Sequence, residues 1–457
     1  MKKLNVLLVS YAFPPMGGVG VLRAASLARY FPAEEIRLDV LTARNASAVG
    51  SDSTLLNEIP SEVTVHRTLT LDLPFGIRKS IKRFVSRSKP ASSQAANPAD
   101  SGNRGFIERI LQNALLPDPQ VTWLPTLTRA ARRIVRTRNI DVVLITAPPF
   151  STVLLVEKLR KDFPRLTIVV EFRDEWLSTG IDLVAFSRSE RARRIARAAE
   201  ESAVTKATAI VAVTEAARRE IRNRYPQERD GKFHLIPNGF DATRLQRFAS
   251  SPAPKGDSKI IVTYVGTVYA STEPTTLVEA FQSLPPDVKS RFRLRFIGHI
   301  EEPRFREALL QLGDMVELKG FMPQREALAA LNETDYALLV QHGRLNIAAK
   351  CYDYIGSGKP ILATVNPEGP ERTLIEELRV GSWAGSRDIE GIRQLFIDAA
   401  ARGNSLAAEF QPDLEKIARY ERKVLAQRYA GLLHSIARGQ HESNAEDTTA
   451  EVGRKAT

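Results

Sequence analysis

The sequence predicts an α/β protein built from two Rossmann-like domains, each a parallel sheet covered by helices. Three observations predict it. At 457 residues the chain exceeds one hydrophobic core, since cores rarely grow past roughly 250 to 300 residues. Short β-branched runs alternate with amphipathic segments from the start. The same alternation then resumes after a Ser-, Pro-, Gly- and Lys-bearing passage at Ala249–Lys259, which suits a linker.

In chain order, the first series places strands at Val6–Val9, Leu38–Leu41, Val142–Ile145, Thr167–Val170 and Ile210–Val213, all apolar runs of the kind that parallel sheets bury on both faces. Between them Val21, Ala25 and Ala28 recur at helical spacing, and Leu154, Lys158 and Lys161 mark the wetted side of a later helix. The second series places strands at Ile261–Val265, Leu294–Ile297, Val316–Leu318, Ala337–Val340 and Pro360–Ala363. Its helices begin near Pro274, Pro303, Gln324, Ala348 and Glu371. The expected organisation is therefore a first domain over 1–250, a second over 251–412, a helix over 413–438 that packs back on the first, and a disordered polar tail over 439–457. Lys89–Arg104, rich in Ser, Ala, Pro and Asn, reads as a loop.

Composition limits the function classes. Apolar residues at 43% and charged residues at 26% describe an ordinary globular protein. One cysteine, Cys351, excludes an internal disulfide framework and fits a reducing compartment, with cytoplasm the default. Met1-Lys2-Lys3 before Leu4–Phe13 has the outline of a signal peptide, but Asn5 interrupts it and no cleavage site follows. No run reaches the roughly 20 apolar residues that span a bilayer, so membrane contact is expected to be peripheral, on the inner face of the cell membrane. The six histidines are scattered and there is no Asp-x-Asp, so neither a metal nor another cofactor is expected. A net charge of +12 draws the chain toward phosphate-rich surfaces, yet no nucleic-acid reading module is present and nucleic acid is not expected as a partner.

Phosphate chemistry belongs beyond the carboxyl ends of parallel strands, where helix N-termini point free amides outward. Gly17 and Gly18 follow the first strand and open a helix, so main chain there could approach a diphosphate. A glycine turn that merely lets the helix pack on the sheet is the alternative. Gly266 ends the first strand of the second domain and forms a comparable turn with Thr267. Lys350 falls in the first turn of the helix begun near Ala348, where a cation opposes the helix dipole by roughly 0.3 to 1 kcal/mol unless an anion binds. Asp353 follows three residues on and could accept hydrogen bonds from ribose or sugar hydroxyls; a surface Lys/Asp pair is the alternative. Cys351 reads as a small buried hydrophobe, and His342 as a polar side chain or a proton carrier near a strand end.

Taken together, Tyr11–Pro15 with Gly17-Gly18, Thr146–Pro149, Phe172-Arg173-Asp174-Glu175-Trp176, Ile236-Pro237-Asn238-Gly239-Phe240-Asp241, Tyr264–Thr267 and Lys350–Pro360 resemble the family 4 glycosyltransferases of the GT-B fold, in the branch that builds bacterial surface polysaccharides, lipopolysaccharide and glycolipids. The resemblance implies a retaining, metal-independent hexosyl transfer from a UDP- or GDP-sugar to a saccharide or lipid-linked acceptor, in a cleft between the domains. The second domain would hold the donor and the first the acceptor. It assigns the donor site to Gly17, Gly18, Gly266, Thr267, Lys350, Asp353 and Asn238, and catalysis to Lys350, Arg173 and Asp174. Arg173 and Asp174 would position acceptor or donor sugar; a structural ion pair is the alternative. Members commonly carry two glutamates separated by seven intervening residues, where Leu345 and Asp353 stand here, and a phosphate-binding arginine where Thr267 stands. Those departures keep two alternatives open: a nucleotide-sugar epimerase of the same fold, and a catalytically silent nucleotide-sugar-binding protein.

Arg78, Lys79, Lys82, Arg83, Arg87 and Lys89 punctuate a segment whose Ile77, Ile81, Phe84 and Val85 share one helical face. This is the pattern of an interfacial helix on an anionic membrane, or of a core helix with a solvated charged face. Arg188–Arg197 interleaves bases with acids and reads as an ordinary solvated helix.

Overall fold

The computed structural model describes residues 3–45, 52–71, 115–178, 189–246, 259–269, 272, 274–402 and 410–455. The expected interfacial helix at Arg78–Lys89 and the loop at Lys89–Arg104 lie outside them, as does the linker apart from Lys259. The chain divides into two compact units: Met1–Val213 with Ala217–Ile236 and Ala426–Thr457, and Thr214–Ala216 with Pro237–Leu425.

The first unit contains β1 (Leu4–Val9), β2 (Ile36–Ala43), β3 (Thr64–Thr68), β4 (Val142–Ala147), β5 (Thr167–Phe172), β6 (Ala209–Ala212) and β7 (Phe233–Leu235). They form one parallel sheet in the order β3-β2-β1-β4-β5-β6-β7. Val6 pairs with Leu38 on one side and Val142 on the other, and Val6 through Val9 are wholly buried, as the continuous apolar run requires. Sheet order reverses between β1 and β4, so the turns leaving these two strands flank the position where open α/β sheets bind ligands.

The second unit repeats this plan with β8 (Ile260–Val265), β9 (Phe292–Ile297), β10 (Val316–Gly320), β11 (Tyr336–Val340), β12 (Ile361–Val365) and β13 (Gly381–Gly385), all parallel, in the order β10-β9-β8-β11-β12-β13. Its order reverses between β8 and β11. Phe281, Phe292 and Phe396 meet edge to face at centroid distances of 5.2 to 6.2 Å under one side of this sheet. Both units are thus Rossmann-like.

Two boundaries differ from the expectation. Pro237 onward belongs to the second unit, ahead of the linker, because Phe240 and Leu245 are buried in its core beside Tyr352, Tyr354 and Ile355. The C-terminal segment is two helices, Leu414–Ala418 and Arg422–Lys455. The second continues beyond 438 through the polar stretch expected to be a disordered tail; Gln440, Glu442, Ala445 and Glu446 are good helix formers and no proline stops it. From Ala426 it belongs to the first unit, where Tyr429, Ala430 and Leu433 are wholly buried.

Candidate functional site

In the first unit, the turn after β1 delivers Gly18 as the cap of helix Val19–Tyr30, with φ of 98° and no side-chain cap on the first amides. A Cβ on Gly18 would meet nothing within 4 Å, so the glycine serves the backbone conformation and not close packing on the sheet. Gly17 precedes it in the same turn. Arg173, just past β5, ties this turn to the one after β4: Nη1 donates to Gly20 O at 2.5 Å and Nη2 to Pro148 O at 2.5 Å. Its buried Nε has no partner among the described residues. Burial lowers the Arg173 pKa, opposed by Glu171 and Asp174, and burial raises the Asp174 pKa against the pull of Arg173. Arg173, Asp174 and the glycine turn are therefore brought together.

The other residues of Phe172–Trp176 hold the fold. Phe172 is core, and Trp176 stacks on Phe150 with centroids 4.5 Å apart and planes at 3°. Glu175 receives Arg224 Nη2 at 2.5 Å, and the same guanidinium meets Glu200 at 2.9 Å. Burial pushes Glu200 up to about 7, with Arg224 opposing and Glu175 adding to the rise. Sequence reasoning passed over Glu171 on β5. Its carboxylate, wholly buried, takes Arg23 Nη2 at 2.7 Å and Thr146 Oγ1 at 2.8 Å. Burial opposes its ionisation, but Arg23 prevails and its pKa is lowered.

In the second unit, Gly266 leaves β8 at φ of 120°, and a Cβ there would lie 3.3 Å from Lys350 Nζ. Only glycine allows both the turn and this approach. Lys350 sits in the first turn of helix Ala349–Ser357, with Nζ 3.9 Å from the Tyr264 ring centroid and donating to the Tyr264 hydroxyl. That hydroxyl in turn donates to Thr267 O at 2.9 Å. Burial lowers the Lys350 pKa to about 7, and no carboxylate among the described residues offsets it. Gly266, Thr267, Tyr264 and Lys350 thus form one cluster at the switch point of the second sheet. Tyr264 was read only as part of a motif; its ring platform has no sequence signal of its own.

Asp353 is not part of that cluster. Burial raises its pKa to about 6, lowered by Arg422 and Arg244 and raised by Asp241, and it contributes nothing to Lys350. Lys350 and Asp353 share a helical face, but Asp353 lies most of a turn further along, where its electrostatic neighbours are Arg422, Arg244 and Asp241. Asn238 lies just inside the second unit and is half-buried. Its neighbour Gly239 explains the local motif: a Cβ there would be 2.0 Å from Tyr420 O, while Arg422 Nε donates to Gly239 O at 2.9 Å and Phe240 bridges to Glu421.

Glu371 is a buried acid that reaches the start of the Lys350 helix. Oε1 accepts from Ala348 N–H, the cap of that helix, at 3.1 Å, and Oε2 has no partner among the described residues. Burial raises its pKa to about 7. Cys351 is wholly buried with its thiol pKa raised by burial, as a packed hydrophobe should be, and His342 Nδ1 is held by Ser386 Oγ at 2.5 Å. Among the described residues no group of three His, Cys, Asp or Glu could hold a metal ion, and no helix is long and apolar enough to cross a membrane.

Residues 91–244 match the model of Glycosyltransferase Family 4. Among solved structures, the chain is similar to HepE from Anabaena in complex with UDP and glucose, at 14% identity, TM-score 0.60, over 94% of this chain and 100% of that one. It is also similar to an α,α-trehalose-phosphate synthase (UDP-forming) from Burkholderia vietnamiensis, at 13% identity, TM-score 0.61, over 95% and 100%. A third is a glycosyltransferase from Rickettsia africae, at 14% identity, TM-score 0.58, over 95% and 99%. At these identities the likeness is one of fold. No curated protein sequence matches.

Proposed function

We propose that this chain, a glycosyltransferase of the GT-B fold, moves a sugar with retention from a UDP- or GDP-sugar to a saccharide or lipid-linked acceptor of the cell surface, without a metal. The observation that carries the reading is Lys350: an ammonium at a helix start, against the face of Tyr264 and beside the Gly266 turn, with no carboxylate among the described residues to neutralise it. A donor diphosphate supplies the missing counter-charge and also takes up the helix-start amides. The Anabaena protein with UDP and glucose and the UDP-forming Burkholderia enzyme support a uridine donor.

As the bond from the anomeric carbon to the diphosphate oxygen breaks, charge builds on the leaving oxygen, and the Lys350 ammonium and fixed amides stabilise it. The acceptor oxygen bonds to the anomeric carbon on the face the diphosphate leaves, and the acceptor proton passes to the departing diphosphate. Arg173 holds the Gly20 and Pro148 turns in place, and Asp174 offers an acceptor hydroxyl a hydrogen-bond partner. Gly17 and Gly18 give phosphate or sugar oxygens access to main chain.

Calorimetric titration of Lys350→Ala with UDP and GDP tests this. Loss of one charge-assisted contact should weaken binding by roughly tenfold to a hundredfold with the far-UV spectrum unchanged. Since the ammonium is the binding form and its pKa in the free protein is about 7, wild-type affinity should be highest below pH 7 and fall as pH rises beyond it. Unchanged affinity in the variant removes Lys350 from the site. Leu345 and Thr267, standing where the family usually places charge, favour one second reading, a silent binder: nucleotide sugar bound, with no turnover on native lipid extracts.

A further inference from the structure

We propose that the exposed face of helix Leu124–Thr137, with Leu69 and Leu71, is a docking surface for an anionic lipid membrane. Arg129, Arg132, Arg133 and Arg136 recur at the spacing that puts side chains on one helical face. Leu127, Ala131, Ile134 and Val135 are buried on the other. The helix contains no acidic residue. With Lys158, the four arginines line a groove of about 830 Å³ whose walls also include Leu124 and Pro125, and none of its lining residues is an acid.

Part of this charge is already engaged. Arg132 pairs with Asp162 at 2.5 Å, and Arg136 lies over Phe163, 5.3 Å from the centroid. Arg129, Arg133 and Lys158 have no ion pair among the described residues, and all three are exposed. A stripe that rises about 10 Å over seven helical residues fits an array of phosphates better than a single one.

Charge alone would suit nucleic acid as well as lipid. The apolar edge decides. Thr126 Oγ1 donates to Leu69 O at 2.5 Å, and Trp123 Nε1 to Thr68 Oγ1 at 2.8 Å, so the chain after β3 is fastened to the start of the arginine helix. There Leu69 is 56% and Leu71 82% exposed, the two most exposed large hydrophobic residues described in the first unit. Leucines beside arginines form the amphipathic pattern of interfacial binding, in which apolar side chains enter the acyl boundary while cations meet headgroup phosphates. A nucleic-acid backbone gives such leucines nothing to enter. The surface involves none of the donor-site residues and stands independently of the donor reading.

Sedimentation of the full chain with phosphatidylcholine vesicles, with and without phosphatidylglycerol, tests the proposal. Wild type should bind the anionic vesicles, less at high salt, and ignore the neutral ones. Arg129→Glu/Arg133→Glu should lose more than about tenfold in affinity. Leu69→Ser/Leu71→Ser should lose about tenfold. The control Arg191→Glu/Arg194→Glu, on a different exposed helix, should match wild type. Far-UV spectra and UDP-induced thermal shifts, equal in all four proteins, separate loss of docking from loss of fold or donor site. The proposal is overturned if either surface variant binds like wild type, if the control loses as much, or if duplex DNA captures the protein through the arginines while the leucine variant retains full vesicle binding.

Discussion

A wholly buried glutamate with one oxygen on an amide and the other without a partner among the described residues is a costly thing to keep ionised. For Glu371 the folded pKa, about 7, stands above the usual 4.5. Between those values the folded protein binds the extra proton, so this group's stabilisation is present at low pH and is lost as pH rises to 7. Glu371→Gln keeps an oxygen for the Ala348 amide and removes that dependence. Its melting temperature should equal wild type near pH 5 and exceed it by a few degrees at pH 8. Equal melting temperatures at both pH values would show that Glu371 does not titrate in this way. The sequence could not disclose this residue, since a glutamate after Gly369-Pro370 reads as an exposed helix opener that favours the dipole. Lys350 was legible because its sign is wrong for its place. The neighbours of Asp353, which are Arg422, Arg244 and Asp241, are brought to it from other parts of the chain and could not be read from its spacing to Lys350.

At the scale of elements, central strands were readable, and of the four edge strands only Val316–Gly320 was. Val6–Val9 and Val142–Ile145 are buried on both faces and spell out their state in β-branched residues. Thr64–Thr68 is half-buried throughout, Phe233–Leu235 has three residues, and Gly381–Gly385 is glycine-bounded. Each is an edge strand whose conformation comes from its neighbour's hydrogen bonds. The bridge between Phe240 and Glu421 is likewise set by a partner distant in sequence, and Gly239 is what admits it. Gly239→Ala should destabilise the second unit by about 2 kcal/mol or more in urea unfolding, with faster amide exchange at Phe240 and Arg422. An alanine variant with wild-type stability would mean that this contact relaxes freely.

For the whole molecule, the first unit is completed by the far end of the chain. Tyr429 is wholly buried, edge-on to Phe31 with centroids 6.2 Å apart, and under the Arg23 guanidinium at 5.8 Å. Tyr429→Ala should cost about 3–5 kcal/mol, and hydrogen exchange should show lost protection in Leu4–Val9 and Val19–Tyr30 but not in Ile260–Val265. Loss spread evenly over both units would contradict this assignment. Because residues from Ala426 onward belong with Met1–Val213, a ribosome making this protein releases all of Pro237–Leu425 before Tyr429 leaves the exit tunnel. The unit begun first is therefore finished last, and a nascent chain stalled within the second half leaves its opening half with apolar surface that chaperones must shield.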